Sequence, residues 1–284
     1  MAAAPGSPST TPTVGRRAAL AFLLVPPLAW LIVAYLGSLA VLLISAFWTT
    51  DTFTDAVVHT LTSENVVRVV TDPTFRAVAL RTIGVALLVT ACCITLAVPL
   101  ALYMAKIASP RMRLVLVVAV TTPLWASYLV KAYSWRIMLS GEGPLAWASG
   151  YTPGYGLTAT VITLTYLWLP YMIIPVFAAF ERVPDSLIDA SSDLGASDAS
   201  TLRMVVAPLV FPGIAAGSIF TFSLSLGDYI AVKIVGGSTQ LIGNVIYDQL
   251  STNQPLAGAL SLIPLTAVVL YLLAMRRTGA LENV

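Results

Sequence analysis

The sequence predicts an all-α integral membrane protein with six transmembrane helices, and three observations lead there. Of 284 residues, 58% are hydrophobic and only 10% are charged, whereas soluble domains carry about a quarter charged residues. Uncharged runs recur at 18–47, 82–105, 114–130, 157–180, 204–227 and 254–275. Each reaches the roughly 17–25 residues that a helix needs to cross about 30 Å of hydrocarbon. Lipid offers backbone amides no partners, so the runs must be helical; strands of a membrane barrel would be about half as long.

The elements follow in order. Residues 1–15 are mostly Ala, Pro, Ser, Thr and Gly without periodicity and read as a disordered tail. Arg16 and Arg17 lead into a first span at about 18–47, longer than the roughly 7–15 residues of a secretory signal core. Residues 48–76 are polar and form an outer loop with room for one short surface helix. Further spans are expected at about 79–105, 114–133, 157–180, 206–228 and 255–275, with a short tail at 278–284. Every span carries proline: Pro26 with Pro27, Pro99, Pro123, Pro170 with Pro175, Pro212, and Pro264. Each removes a helical hydrogen bond and invites a kink, which membrane helices tolerate when neighbours satisfy the freed groups.

Six spans put both termini on one side, and the positive charges choose which. With the termini cytoplasmic, that side holds Arg16, Arg17, Lys106, Arg111, Arg113, Arg182, Arg203, Arg276 and Arg277; the other holds Arg68, Arg76, Arg81, Lys131, Arg136 and Lys233. The excess of Lys and Arg on short loops marks the cytoplasmic side. The chain therefore reads as a multi-pass protein of a cytoplasmic (inner) membrane.

Several function classes drop out. A net charge of +2 offers no basic stripe for nucleic acid. His59 is the sole histidine, and Cys92 and Cys93 are adjacent within a span. That set builds neither a metal cage nor a disulfide, and it supplies no nucleophile–base pair at depth. No G-x-x-x-x-G-K-[ST] motif occurs, so the chain holds no ATP by a phosphate-binding loop and no bound cofactor is expected on it.

One polar loop, 181–205, stands apart between the fourth and fifth spans. Pro184 and Asp185 suit the first turn of a helix, where a missing donor costs nothing and a carboxylate meets the positive dipole end. Leu187, Ile188, Ser191 and Leu194 give it an apolar side, while Asp185, Asp189 and Asp193 recur every four residues on an acidic one. Gly195 supplies a left-handed stop, and Ser197 with Asp198 can cap a second helix rising into the fifth span. A short amphipathic helix held at the membrane surface suits a groove on a soluble partner; a helix lying flat on lipid is the alternative.

The loop resembles the signature of binding-protein-dependent ABC importer permeases: Glu-Ala-Ala, three residues, Gly, nine residues, Ile-x-Leu-Pro. Here stand Asp189-Ala190-Ser191, then Gly195, then Val205-Val206-Ala207-Pro208, with matching spacing and four conservative replacements. Further stretches are similar to the spermidine/putrescine branch of that family: PLWASYLVKAYSW at 123–135, LPYMIIPVFAAFERVP at 169–184, LGDYIAVKIVGG at 226–237, LIGNVIYDQL at 241–250 and NQPLAGALS at 253–261. The resemblance implies the type I ABC importer permease fold over 16–277. It implies a coupling role for Asp185, Leu187, Ile188, Asp189, Ala190, Ser191, Leu194, Gly195 and Pro208. It also implies partners: two ABC ATPase subunits carrying ATP and magnesium, a second and related permease, and an extracytoplasmic solute-binding protein.

For the solute path, Asp228 beside Tyr229 at the end of the fifth span could meet an ammonium by charge and cation–π attraction. Trp125, Tyr128, Tyr133 and Trp135 near the outer end of the third span could extend that surface. Three readings compete: an interfacial aromatic belt, an ion pair of Asp228 with Lys131 or Lys233, and Asp228 facing the partner permease. An ion-coupled secondary transporter would instead show carboxylates or glycine-broken helices mid-span.

Overall fold

A computed structural model describes residues 13–51 and 56–277. The tails expected at 1–15 and 278–284 therefore lie largely outside the described residues, although the first helix already begins at Thr13.

The first span comprises α1 (Thr13–Leu31), a π-helical stretch Ile32–Gly37, and α2 (Ser38–Ser45). The outer loop holds two antiparallel two-residue strands, β1 (Thr49–Thr50) and β2 (Val57–Val58), with Thr49 opposite Val58. His59 is exposed and packs edge-on against Trp48 at 4.3 Å. The short surface helix is α3 (Glu64–Thr71).

The second span, α4 (Pro73–Leu102), starts before the expected 79 because its cap lies there. Asp72 accepts from the Thr74 N–H at 2.7 Å and Pro73 takes the first helical position. The same bond holds the exposed Asp72 carboxyl below its ordinary pKa. A π turn, Tyr103–Ile107, ends this span on the side predicted to be cytoplasmic.

The third span departs from expectation. Instead of one helix over 114–133, α5 (Pro110–Trp125) and α6 (Tyr128–Met138) meet at a bend of 100°. Pro123 denies the last turn of α5 a hydrogen bond, and Ala126 and Ser127 take extended ψ values of 142° and 136°. A surface helix α7 (Pro144–Ser149) follows.

The fourth span is α8 (Leu157–Glu181), and the polar loop forms α9 (Asp185–Asp193) and α10 (Asp198–Thr201). A second π turn, Leu202–Val206, continues into α11 (Ala207–Gly227), the fifth span. Two short helices, α12 (Ile230–Val235) and α13 (Ile242–Leu250), precede the last span, α14 (Gln254–Arg277).

The core is the α4–α8–α11 bundle. In α4, Val85, Val89, Cys93, Ala97 and Ala101 repeat every four residues and pack with Leu164, Leu167, Met172 and Val176 of α8. Lipid supplies no hydrophobic drive between helices, so close approach through small residues does the work. Gly213 and Gly217 provide it on α11: an added Cβ would stand 2.5 Å from the Ala179 Cβ or 2.7 Å from the Met172 sulfur. Within an apolar 18-residue stretch of Leu157–Glu181, 44% of the residues are buried, against 6% in the corresponding stretch of Phe22–Ser45. The first helix therefore lies outside the bundle and meets it chiefly where α2 crosses α14.

Candidate functional site

Two regions carry the functional candidates, one at each end of the bundle. In the polar loop, Pro184 is the residue before the first turn of α9 rather than inside it. The helix ends in a paired-bond turn. Gly195, at φ 81°, donates to the Ser192 carbonyl at 2.9 Å, and Ala196 donates to the Ser191 carbonyl at 3.1 Å. Ser197 accepts from the Ser200 N–H at 3.4 Å and starts α10.

Burial sorts the residues of α9. Ile188 packs against the main core, and the Ser191 hydroxyl lies 2.9 Å from that of Thr201, joining α9 to the next helix. Ser191 is thus half-buried, unlike its neighbours Asp189 and Ala190. Leu187, Ala190 and Leu194 share the exposed face, with Leu194 90% exposed. Asp185 leaves the acidic stripe to pair with Lys106 at 2.7 Å. Pro208 stands in the first turn of α11 and lines a cavity of about 350 Å³ with Pro175, Ala179, Arg182 and Pro212.

At the other end, the bend in the third span has a consequence: it presents Tyr128, the first residue of α6, to Asp228. Asp228 follows α11 in an extended conformation and is 7% exposed. Its carboxylate accepts from the Tyr128 hydroxyl and, at 2.9 Å, from the Ala231 N–H at the start of α12. The ion pair with Lys131 or Lys233 does not form. Lys233 instead meets Asp248 at 2.8 Å and lies 4.2 Å from the centre of the Tyr247 ring.

Aromatic rings frame this carboxylate. Trp168 of α8 lies 6.1 Å from Tyr128 and 5.9 Å from Tyr171, and Tyr229 stacks on Tyr247 at 4.7 Å. An open pocket of about 310 Å³ is lined by Tyr128, Trp168, Ser223, Leu224, Asp228 and Tyr229. The carboxylate's partners here are neutral donors, and aromatic walls favour a cation beside it.

Of the six pathway candidates, Tyr128, Asp228 and Tyr229 converge and the others do not. Trp125 is 91% exposed and Tyr133 is exposed. Trp135 packs on Tyr166 at 5.4 Å and faces a separate pocket of about 300 Å³ that also holds Lys131. Arg136 is engaged by its own surroundings, 4.8 Å from the Tyr155 ring centre and bonded to the Ile234 carbonyl. Trp168, which sequence reasoning missed, carried one signal: it is the tryptophan within the fourth span, away from either end.

Residues 94–277 match the family described as binding-protein-dependent transport system inner membrane component. The chain is 42% identical over 284 residues to the inner membrane ABC transporter permease protein YdcU of Escherichia coli (strain K12), covering 93% of this chain and 90% of that one. It is 33% identical over 227 residues to the spermidine/putrescine transport system permease protein PotB of the same strain, covering 75% and 81%. Among solved structures it resembles a chain of a bacterial alginate ABC transporter in complex with an alginate pentasaccharide-bound periplasmic protein. There the TM-score is 0.72 at 15% identity, over 94% and 95% of the two chains. A chain of the MetNI methionine ABC transporter gives a TM-score of 0.57 at 20% identity, over 73% and 97%. At those identities the structural likeness speaks for the fold.

Proposed function

Because this chain belongs to the binding-protein-dependent transport system inner membrane component family, we propose that it passes a small organic cation of polyamine type through the pocket at Asp228. It is a multi-pass inner membrane permease of the ABC importer class. ATP hydrolysis falls to partner subunits, and no cofactor is assigned to this chain. The assembly proposed around it has two ATPase subunits, a second permease that is related but different, and a solute-binding protein on the outer side.

The observation that supports the cation is the buried Asp228 carboxylate, which meets a phenol and an amide and opens onto a pocket of aromatic rings. Charge in a membrane protein's interior is costly enough to mark a site of function. An ammonium entering the pocket would gain the carboxylate and the faces of Trp168 and Tyr229 together. The similarity to PotB runs in the same direction. At the other end, the exposed Leu187–Ala190–Leu194 face of α9, beside Asp189 and held rigid by the Gly195 turn, is the surface offered to the ATPase.

The test is ATP-dependent uptake of radiolabelled putrescine and spermidine into proteoliposomes holding this chain with its partner subunits and binding protein. Asp228→Asn should lower uptake while leaving ATPase subunits bound. Uptake confined to neutral or anionic solutes, or unchanged uptake by Asp228→Asn, would remove the cation reading.

A further inference from the structure

The turn joining the second and third spans grips the start of the polar loop at three alternate residues. Lys106, on the π turn Tyr103–Ile107, donates to the Val183 carbonyl at 2.6 Å and to the Asp185 carboxylate at 2.7 Å. Its side chain is only 16% exposed, against 80% for Asp185, so the ammonium sits beneath the acid rather than beside it in water. Arg113, one turn into α5, donates to the Met104 and Ala105 carbonyls at 3.0 and 2.6 Å and to the Glu181 carboxylate at 3.1 Å. Those two carbonyls belong to the π turn, where backbone acceptors are left open. The guanidinium thus fixes the turn with two bonds and reaches Glu181 with a third.

From this geometry we infer that the 103–113 turn is a second arm of the coupling device, clamped to α9 by Lys106 and Arg113. The inference rests on the reading of α9 as the element that meets the ATPase. Exposed ion pairs generally contribute little. Here, however, two cations on one rigid turn hold the last residue of α8, Glu181, the middle of the link, Val183, and the first residue of α9, Asp185. Displacement of α9 therefore carries the second and third spans along with the fourth and fifth. Because the third span carries Tyr128, the clamp joins the motor side to the Asp228 pocket. Lys106 and Arg113 are positioning residues; they touch neither solute nor nucleotide.

The clamp is tested by spin-label distances in the complete transporter in lipid nanodiscs, with Ile107→Cys and Ser186→Cys labelled after Cys92 and Cys93 are replaced by alanine. Between the nucleotide-free and the ATP–vanadate states the 107–186 distance should change by less than about 2 Å, as for a single rigid unit. Lys106→Met with Arg113→Met should broaden the distribution and let it move between states, whereas Lys106→Arg should keep it narrow. A native distance that shifts by more than about 5 Å overturns the clamp, as does a double variant indistinguishable from native. Copurification of the ATPase subunit is scored in the same samples. Its loss from Leu194→Asp supports α9 as the docking element, and retention there overturns that premise and the clamp with it. Bound ATPase with a shifting 107–186 distance overturns the clamp alone.

Discussion

Tyr128 and Asp228 stand 100 residues apart in the chain, and the phenol of one donates to the carboxylate of the other across the bundle. The bond depends on two interruptions of helix: the 100° bend that exposes the start of α6, and the break after Gly227 that frees Asp228 from α11. Continuous spans would have placed neither group here.

Removing the two partners should separate structure from transport. Tyr128→Phe deletes one of two donors to a buried carboxylate, a loss of about 1–3 kcal/mol. Thermal unfolding in detergent should register it as a lower midpoint, with uptake reduced only modestly. Asp228→Asn keeps a polar group of the same shape but abolishes the charge. Charged hydrogen bonds contribute about 1.5–3 kcal/mol, or roughly 10–100-fold in an equilibrium constant, so uptake of a cationic solute should fall by that order with little change in unfolding. Equal losses of stability in both variants would assign Asp228 to structure alone.

Hydrophobicity and charge made most of the fold legible. Five of the spans follow directly from uncharged runs, because lipid demands continuous apolar helix. The Gly195 turn was legible too, since glycine ahead of a Ser-Asp cap has few other uses. The broken third span was not. Pro123 resembles the other span prolines, and the packing of α6 against α12 beyond the break has no local signature in the sequence. Nearness in sequence groups Trp125, Tyr133 and Trp135 with Tyr128, but the bend leaves Trp125 on α5, and Tyr133 and Trp135 stand farther along α6 in other surroundings. Lys106 and Arg113 entered as topology charges because no local pattern announces partners at 181, 183 and 185.

Gly195→Val places a β-branched residue at φ 81°. The left-handed region costs an ordinary L-residue about 1–2 kcal/mol, and branched side chains fare worst. The turn should rearrange while the spans, which insert on hydrophobicity, remain. Membrane levels measured by immunoblot should match wild type, and ATP-driven uptake should drop by about 10-fold or more, the equivalent of roughly 1.4 kcal/mol. Gly195→Asn, tolerant of that conformation, should retain most activity. Full uptake by the valine variant would detach the turn from coupling.

Thr82 satisfies a backbone group on a distant helix. Its buried hydroxyl donates to the Val78 carbonyl at 2.8 Å and accepts from the Ile242 N–H at 2.9 Å, tying α13 to the second span. Thr82→Val preserves shape but orphans that N–H, at about 1–3 kcal/mol. Hydrogen exchange of the Ile242 amide should accelerate in Thr82→Val and stay near native in Thr82→Ser. Unchanged protection in the valine variant would show that the amide finds another acceptor.

The first span approaches α14 most tightly at one glycine. A Cβ on Gly258 would lie 2.6 Å from the Leu42 carbonyl oxygen, 2.6 Å from the Ser45 hydroxyl oxygen and 2.9 Å from the Ala46 nitrogen. Two of those atoms are backbone, so no rotamer change can relieve the clash. Ala46, Leu256, Ala259 and Leu260 pack around the crossing and would be levered apart with it. Gly258→Ala should therefore cost about 1–3 kcal/mol, the range for overpacked cores. It should also slow disulfide formation between Ser45→Cys and Ser261→Cys, a pair chosen to span the crossing. Gly37 is the control. It lies in the same first span with nothing within 4 Å of an added Cβ, so Gly37→Ala should be neutral or gain up to about 1 kcal/mol from reduced backbone freedom. If both alanine variants unfold at the same temperature as wild type and crosslink at the same rate, close approach at Gly258 does not hold the first span in place.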